Sequence, residues 1–151
     1  MKKVVLCFIL ILGFSSFAFS SDVTWRKDVE PILKAQCYPC HSGGAPELEE
    51  WELNKDANLE NMQGMKMDTF RSVIAYVLWP NTGALMRRLD NGENKKDGKP
   101  GNMYEHLGST DDERAKNLET IKSWVGYWTT KRIKDLTYEE ILKLDSIKKR
   151  Y

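Results

Sequence analysis

The run Cys37-Tyr38-Pro39-Cys40-His41 carries the C-x-x-C-H signature by which a c-type haem is attached. Two thiols three positions apart can each add across one vinyl group of a haem, forming two thioethers. The imidazole that follows then sits under the iron as its proximal ligand. Other chemistries for this motif fail on arithmetic. A structural zinc site wants four Cys/His ligands, usually as two separated pairs, and the chain otherwise offers only Cys7 and His106. A thioredoxin-like C-x-x-C needs a βαβ pattern around it, and none is visible. A plain disulfide leaves His41 without a role. The sequence therefore predicts one haem c, held covalently at Cys37 and Cys40 with His41 on the iron.

His41 fills one axial position, and the residue at the other decides the chemistry. Beyond residue 20 the chain has Met62, Met65, Met67, Met86 and Met103, with His106 as the one further histidine. Met103 is the leading distal candidate. It lies in Pro100-Gly-Asn-Met-Tyr104, after a polar loop and just before a capped helix, so a ligand there would close the loop over the distal face. His106 is the rival. Methionine is also a routine gap-filler in cores, and Met65 and Met67 are read that way, near the start of a helix.

The N-terminus is read as an export signal. Lys2 and Lys3 precede a nearly unbroken apolar run from Val4 to Phe14, and Ala18 and Ser20 stand at the −3 and −1 positions of a cleavage site. This is the pattern of a secretory signal peptide over residues 1–20. The apolar run is shorter than the roughly 20 residues that span a bilayer, so no stable membrane span is expected after cleavage. The localisation expected is periplasmic or otherwise exported. Residues 21–151 amount to one domain, with 21 basic and 22 acidic side chains. That balance lacks the strongly basic footprint of a nucleic-acid binder. Glu47, Glu49, Glu50, Glu52, Asp56 and Glu60 make one stretch acidic, and Lys131, Arg132, Lys134, Lys143, Lys148, Lys149 and Arg150 make the C-terminus basic. Such runs read first as solvated helix faces.

The elements that position the motif are predicted to be helices, because no segment sustains a period of two. A first helix leads into the haem motif, with Asp28 as N-cap, Pro31 in the first turn and Val29, Ile32 and Leu33 on the apolar side. A second spans Asp68 to Trp79, where Phe70, Val73, Ile74, Val77 and Leu78 keep helical spacing and Pro80 ends it. A third runs from Ala84 to Leu89, before the Asn91-Gly92 turn signal. The fourth starts at a capping box of Thr110 and Glu113 and carries Leu118, Ile121, Trp124, Val125 and Trp128. The fifth repeats the box with Thr137 and Glu140 and adds a staple between Leu136 and Ile141. The segment Asn91 to Gly101 is too polar for a core. The fold class predicted is all-α, in a single domain.

The residues from Trp25 to His41, with their Val29-Glu-Pro-Ile-Leu33 opening and the haem motif, resemble the start of a class I c-type cytochrome domain. The likeness continues through Gly83-Ala-Leu-Met-Arg-Arg-Leu89, then a methionine, then a capped helix carrying Trp124-Val125-Gly126. It covers roughly residues 25–130, with 131–151 as a helical extension. This resemblance implies a small cytochrome c-like helical domain whose first and last core helices cross beside the haem. It implies Cys37 and Cys40 as thioether attachments, His41 as proximal ligand and Met103 as distal ligand. Ala45-Pro46-Glu47-Leu48 is similar to the family's Gly-Pro-x-Leu segment, which implies that the Pro46 carbonyl accepts the Nδ1–H of His41. Two departures stand out: Tyr104 follows the methionine where prolines are usual, and the fifth helix lies beyond the family's core.

Two functions from different classes follow. With both axial sites filled by protein the iron can only change oxidation state, and the chain is an electron carrier serving redox partner proteins. With an open or displaceable distal site it is a haem enzyme or gas-binding sensor, peroxidase-like, for which His106 and Arg87 or Arg88 would have to serve the distal side. A relay subunit of a larger oxidoreductase complex is a third reading.

Overall fold

A computed structural model describes residues 22–151 of the chain. The expected signal peptide, with Cys7, lies outside the described residues. Among them there is no strand, and the helical elements surround one core. No helix of the described residues is long and apolar enough to cross a membrane.

The chain enters through a wide π-helical turn, Trp25–Val29, that runs straight into helix α1, Glu30–Gln36. Asp28 is therefore inside the helical run and is not its N-cap. Its carboxylate instead accepts from the backbone N–H of Thr24 at 2.9 Å, so the cap is supplied backwards from within the first turn. The widening has a local cause in Pro31, whose ring crowds the carbonyl four residues earlier and which has no N–H to give it. A turn closed by i→i−5 bonds, such as Glu30 N–H to the Trp25 carbonyl, relieves that clash.

After one irregular residue the chain makes helix α2, Tyr38–His41. Helices α3, Leu48–Leu53, and α4, Lys55–Glu60, occupy the acidic stretch, in keeping with its reading as a solvated helix face, although no separate helix is predicted there. They are held by a buried polar pair. Trp51 donates its indole N–H to the Gln63 carbonyl at 2.7 Å, and the Asn58 amide donates to the Trp51 carbonyl at 3.0 Å.

Helix α5 is only Phe70–Ile74, shorter than the predicted 68–79. The apolar spacing is real, since Val73 and Val77 are buried and Phe70, Ile74 and Leu78 pack partly buried against the core; Tyr76, outside that pattern, is buried as well. Past Ile74, however, the carbonyls of Ala75, Tyr76 and Val77 accept from Asn81, Leu85 and Gly83. The backbone bonds that would have continued the helix go to the next segment, and the pattern survives as turns. Helix α6, Ala84–Leu89, matches its predicted limits.

Helix α7, Asp111–Val125, is the longest. Thr110 accepts from Glu113 N–H at 3.2 Å, but the Glu113 carboxylate returns to the N–H of Ser109, one residue earlier than a capping box places it, and also accepts from the Gln36 side chain. It therefore ties the start of α7 to the end of α1. The helix ends where Gly126 takes φ 78°, a conformation that favours glycine. Trp128 consequently lies beyond the helix and not on its stripe.

The N-terminal turn and α7 cross through aromatic contacts. The rings of Trp25 and Trp124 are 5.5 Å apart and those of Trp25 and Phe70 5.7 Å, with Phe70 and Tyr151 at 5.0 Å. The last residues close this junction. The Arg150 carbonyl accepts from both the Trp25 backbone N–H and the Trp124 indole N–H, while the Arg26 guanidinium lies over the Tyr151 ring. Helix α8, Tyr138–Asp145, contributes Leu144, and the turn after it Ile147, to the same core, both essentially without solvent contact. The segment 131–151 is thus built into the crossing of the first and last core helices.

Helix α8 starts at a complete capping box between Thr137 and Glu140. The Glu140 carboxylate also accepts from Lys131 Nζ and Tyr127 Oη, each at 2.6 Å. The Lys131 bond, then those from Tyr127 and Thr137, hold its pKa down at about 2 against an ordinary 4.5. A depressed carboxylate stabilises the fold above its ordinary range and loses that contribution as pH falls toward the folded value. We expect Glu140→Gln to flatten the decline in stability between about pH 4.5 and pH 2. Denaturant unfolding of both proteins across that window measures it, and parallel acid limbs would count against the assignment.

Candidate haem site

The Cys37 carbonyl accepts from the N–H groups of both Cys40 and His41, at 3.1 and 3.0 Å. The motif is therefore helical, with Pro39 in its first turn where a missing N–H costs nothing. Helical spacing puts Cys37 and His41 on one face, with Cys40 beside them. The two thiols are free, so both are available to form bonds. Burial, and then proximity to Cys40, push the Cys37 thiol up to about 11. Cys40 is exposed.

His41 is oriented from across the chain. Its Nδ1 lies 2.7 Å from the carbonyl oxygen of Met65. A carbonyl can only accept, so Nδ1 carries a proton, and in the neutral ring Nε2 then keeps its lone pair. This is the tautomer required of an imidazole that binds iron through Nε2, and the carbonyl fixes the orientation of the ring. The acceptor is not Pro46, as the resemblance implied. Pro46 is buried and its carbonyl takes the Lys66 N–H at 2.8 Å.

The whole segment 64–68 acts as a strap against the motif. Met67 N–H donates to the His41 carbonyl at 2.7 Å, Tyr38 Oη donates to the Asp68 carbonyl at 3.1 Å, and Lys66 pairs with Glu47 at 3.1 Å. Gly64 makes room for the imidazole. A Cβ at that position would stand 2.5 Å from Cε1 and 2.6 Å from Nδ1 of His41. Neither Gly64 nor the Met65 carbonyl was found from the sequence. A backbone acceptor leaves no mark in residue type, and the one signal available was a glycine 23 positions beyond the motif.

The methionines sort by environment. Met62 is 89% exposed, whereas Met86 is wholly buried with its sulfur 3.4 Å from the Thr129 N–H. Met65 and Met67 belong to the strap on the Nδ1 side of His41. Met103 is partly buried against the core. Its N–H donates to the Arg88 carbonyl at 3.0 Å, and the Gly101 N–H donates to the Asp90 carbonyl at 2.7 Å. These two bonds lay residues 101–103 alongside the end of α6. The approach is so close that a Cβ on Gly101 would stand 2.2 Å from the Arg88 oxygen.

Of the residues invoked for an open distal site, the two arginines are otherwise engaged. His106 is exposed. Arg87 donates to the carbonyls of Thr82 and Lys131 at 3.0 and 3.1 Å, and Arg88 to the Asn102 side chain at 2.8 Å. A cleft of about 510 Å³ lies elsewhere, between α5 and α8, lined by Phe70, Ile74, Leu78, Trp79, Ile141 and Leu144, and includes none of the motif residues.

A c-type haem fits this donor set: two free thiols and an imidazole on one helical turn, the ring fixed in the iron-binding tautomer, and a glycine where any side chain would displace it. The comparisons with known proteins agree. A family model described as PccH cytochrome c matches residues 24–151. The solved structure of monoheme cytochrome PccH from Geobacter sulfurreducens matches at 49% sequence identity and a TM-score of 0.74, covering 82% of this chain and 96% of that chain. No curated protein matches. The family match includes residues 131–151, in keeping with their place in the core. It implies one covalently attached haem c and a haem-binding, electron-carrying role. The chain belongs to the PccH cytochrome c family.

Proposed function

We propose that the protein is an exported one-electron carrier in which Cys37 and Cys40 hold the haem, His41 ligates the iron from the proximal side and Met103 from the distal side. The observation that carries this reading is the Nδ1 contact of His41 with the Met65 carbonyl at 2.7 Å, which leaves Nε2 unprotonated and aimed by a rigid backbone group. When bound, the haem supplies an iron centre that changes oxidation state by one electron.

The chain's own residues do the rest. The carbonyl of Met65 makes the imidazole a stronger electron donor to iron, and Gly64 and the strap keep its plane fixed, so the ligand need not move when the charge on the iron changes. Met103 is favoured over His106 because it is partly buried on a backbone anchored to α6, whereas His106 faces solvent. Thioether sulfur favours ferrous iron relative to imidazole, which places the carrier above a bis-histidine haem in potential. Export agrees with the signal-like residues 1–20 and brings the chain to a compartment where redox partner proteins would meet it.

Two measurements test the reading. Mass spectrometry of exported protein should show the chain from Ser21 plus one haem that resists acid–acetone extraction. Oxidised protein should show the weak near-infrared band of sulfur bound to ferric iron. A stable haem-free product from a host competent in haem attachment, or a loaded protein without the band and with ferrous haem that binds CO at once, would overturn it.

A further inference from the structure

Asp90 is wholly buried, and nothing in the proposed electron-transfer site calls for a carboxylate there. Its Oδ1 accepts from the backbone N–H groups of Gly92 and Asn94, at 2.8 and 3.2 Å. Its Oδ2 accepts from the Asn94 side-chain amide and from the Trp128 indole N–H, both at 2.8 Å. All four donors are neutral, so an anion has been taken out of water and satisfied by hydrogen bonds alone, which is costly unless its whole shell is complete. Burial would raise its pKa, and the bonds from Trp128, Asn94 and Gly92 outweigh it, so the pKa is lowered.

The position of this group matters more than its charge. Asp90 is the first residue after α6, and its donors come from the start of the polar loop 91–101 and from the segment beyond α7. Its own carbonyl accepts from Gly101 at the far end of that loop, two residues before Met103. Further along, Asn94 contributes its carbonyl to the Thr130 hydroxyl at 2.9 Å. Asp90 therefore meets the loop at both ends: its carboxylate ties residues 92–94 to Trp128 beyond α7, and its backbone carbonyl holds Gly101. A loop without apolar anchors of its own has no other comparable buried centre.

We infer that Asp90 is a positioning residue for the distal ligand: its buried carboxylate, bonded to Gly92, Asn94 and Trp128, holds the loop 91–101 in the one arrangement that presents Met103 to the iron. This rests on the proposed Met103 ligation, and it goes further by assigning the control of that ligation to a residue that touches neither methionine nor haem. Without Asp90 the ordered end of the loop is lost, Met103 leaves the iron part of the time, and the haem remains bound through its thioethers.

The test uses full-length, haem-loaded protein and three variants. Met103→Ala establishes which band reports the ligand. Asp90→Asn keeps the shape but turns an NH₂ donor against other donors, and Trp128→Phe removes one donor while leaving the carboxylate. Both are expected to keep one covalent haem, to lose half or more of the near-infrared band, to shift the potential toward that of Met103→Ala, and to bind CO at least tenfold faster than the parent. If Met103→Ala itself leaves the band intact, the ligand reading and this inference both fall. If Met103→Ala abolishes the band while the Asp90 and Trp128 variants keep the parent band, potential and CO rate, only the inference is overturned. Should Asp90→Asn not mature, Trp128→Phe alone decides, with an unchanged band and CO rate overturning it.

Discussion

Gly64→Ala is expected to raise the reduction potential and to cost the loaded protein about 1–3 kcal/mol of stability, the usual range for overpacking a filled site. The added Cβ would lie 2.5 Å from Cε1 and 2.6 Å from Nδ1 of His41, distances no carbon can keep. Either the strap or the imidazole has to move, and the ring is the softer of the two. A displaced ring loses the Nδ1–H bond to the Met65 carbonyl, the group that makes the imidazole a stronger electron donor. A weaker donor favours ferrous iron, so the potential rises. Gly44→Ala is the control, because nothing lies within 4 Å of a Cβ there. Redox titration and denaturant unfolding of the two variants decide the matter. If they behave alike, the packing of Gly64 against His41 does not govern the ligand.

The contrast between those two glycines shows where sequence reading succeeds and where it stops. Both lie in polar, irregular segments, and local pattern does not separate them. What was legible has a short-range cause. The haem motif is five consecutive residues, the cap pair Thr137 and Glu140 is three apart, and α6 is bounded by Gly83 and Asp90. The Thr110 helix was read correctly in its start and apolar residues, and wrongly only where Glu113 reached Ser109 and Gly126 stopped the helix short of Trp128.

The rest depends on pairs far apart in the chain. The acceptor for His41 is 24 residues away, and Pro46 was the reasonable expectation because it is nearer and carries the family's local pattern. The second helix was overdrawn because its later carbonyls bond to residues 81–85, which no periodicity can announce. The C-terminal segment read as an extension because the resemblance runs only to about residue 130. Its core role comes from Leu144 and Ile147, and from a backbone carbonyl at Arg150 that receives donors from Trp25 in the first turn and Trp124 in α7. Asp90 falls between the predicted third helix and the polar loop with no signal of its own, and only its burial and its bonds to Gly92, Asn94 and Trp128 mark it out.

Met103→Ala is expected to produce the largest change of any single substitution away from the haem motif. Met103 stands on residues 101–103, pinned to the Arg88 and Asp90 carbonyls, so its backbone does not depend on the side chain and the variant should fold and retain one haem. The near-infrared band should vanish, ferrous protein should bind CO, and oxidised protein should bind cyanide. Removing the thioether withdraws a ligand that prefers ferrous iron, so the potential should fall, by on the order of a tenth of a volt within the roughly 0.8 V that axial ligands span. Met103→His should restore a six-coordinate spectrum, still at lower potential than the parent, because imidazole favours ferric iron more than thioether does. His106→Ala should leave band, potential and CO inertness unchanged, in keeping with a side chain that faces solvent. The decisive opposite result is an iron opened by His106→Ala and untouched by Met103→Ala. In that case the turn Tyr104–Leu107 would have to rotate inward when the haem is bound, and the carrier would be a lower-potential, bis-histidine protein.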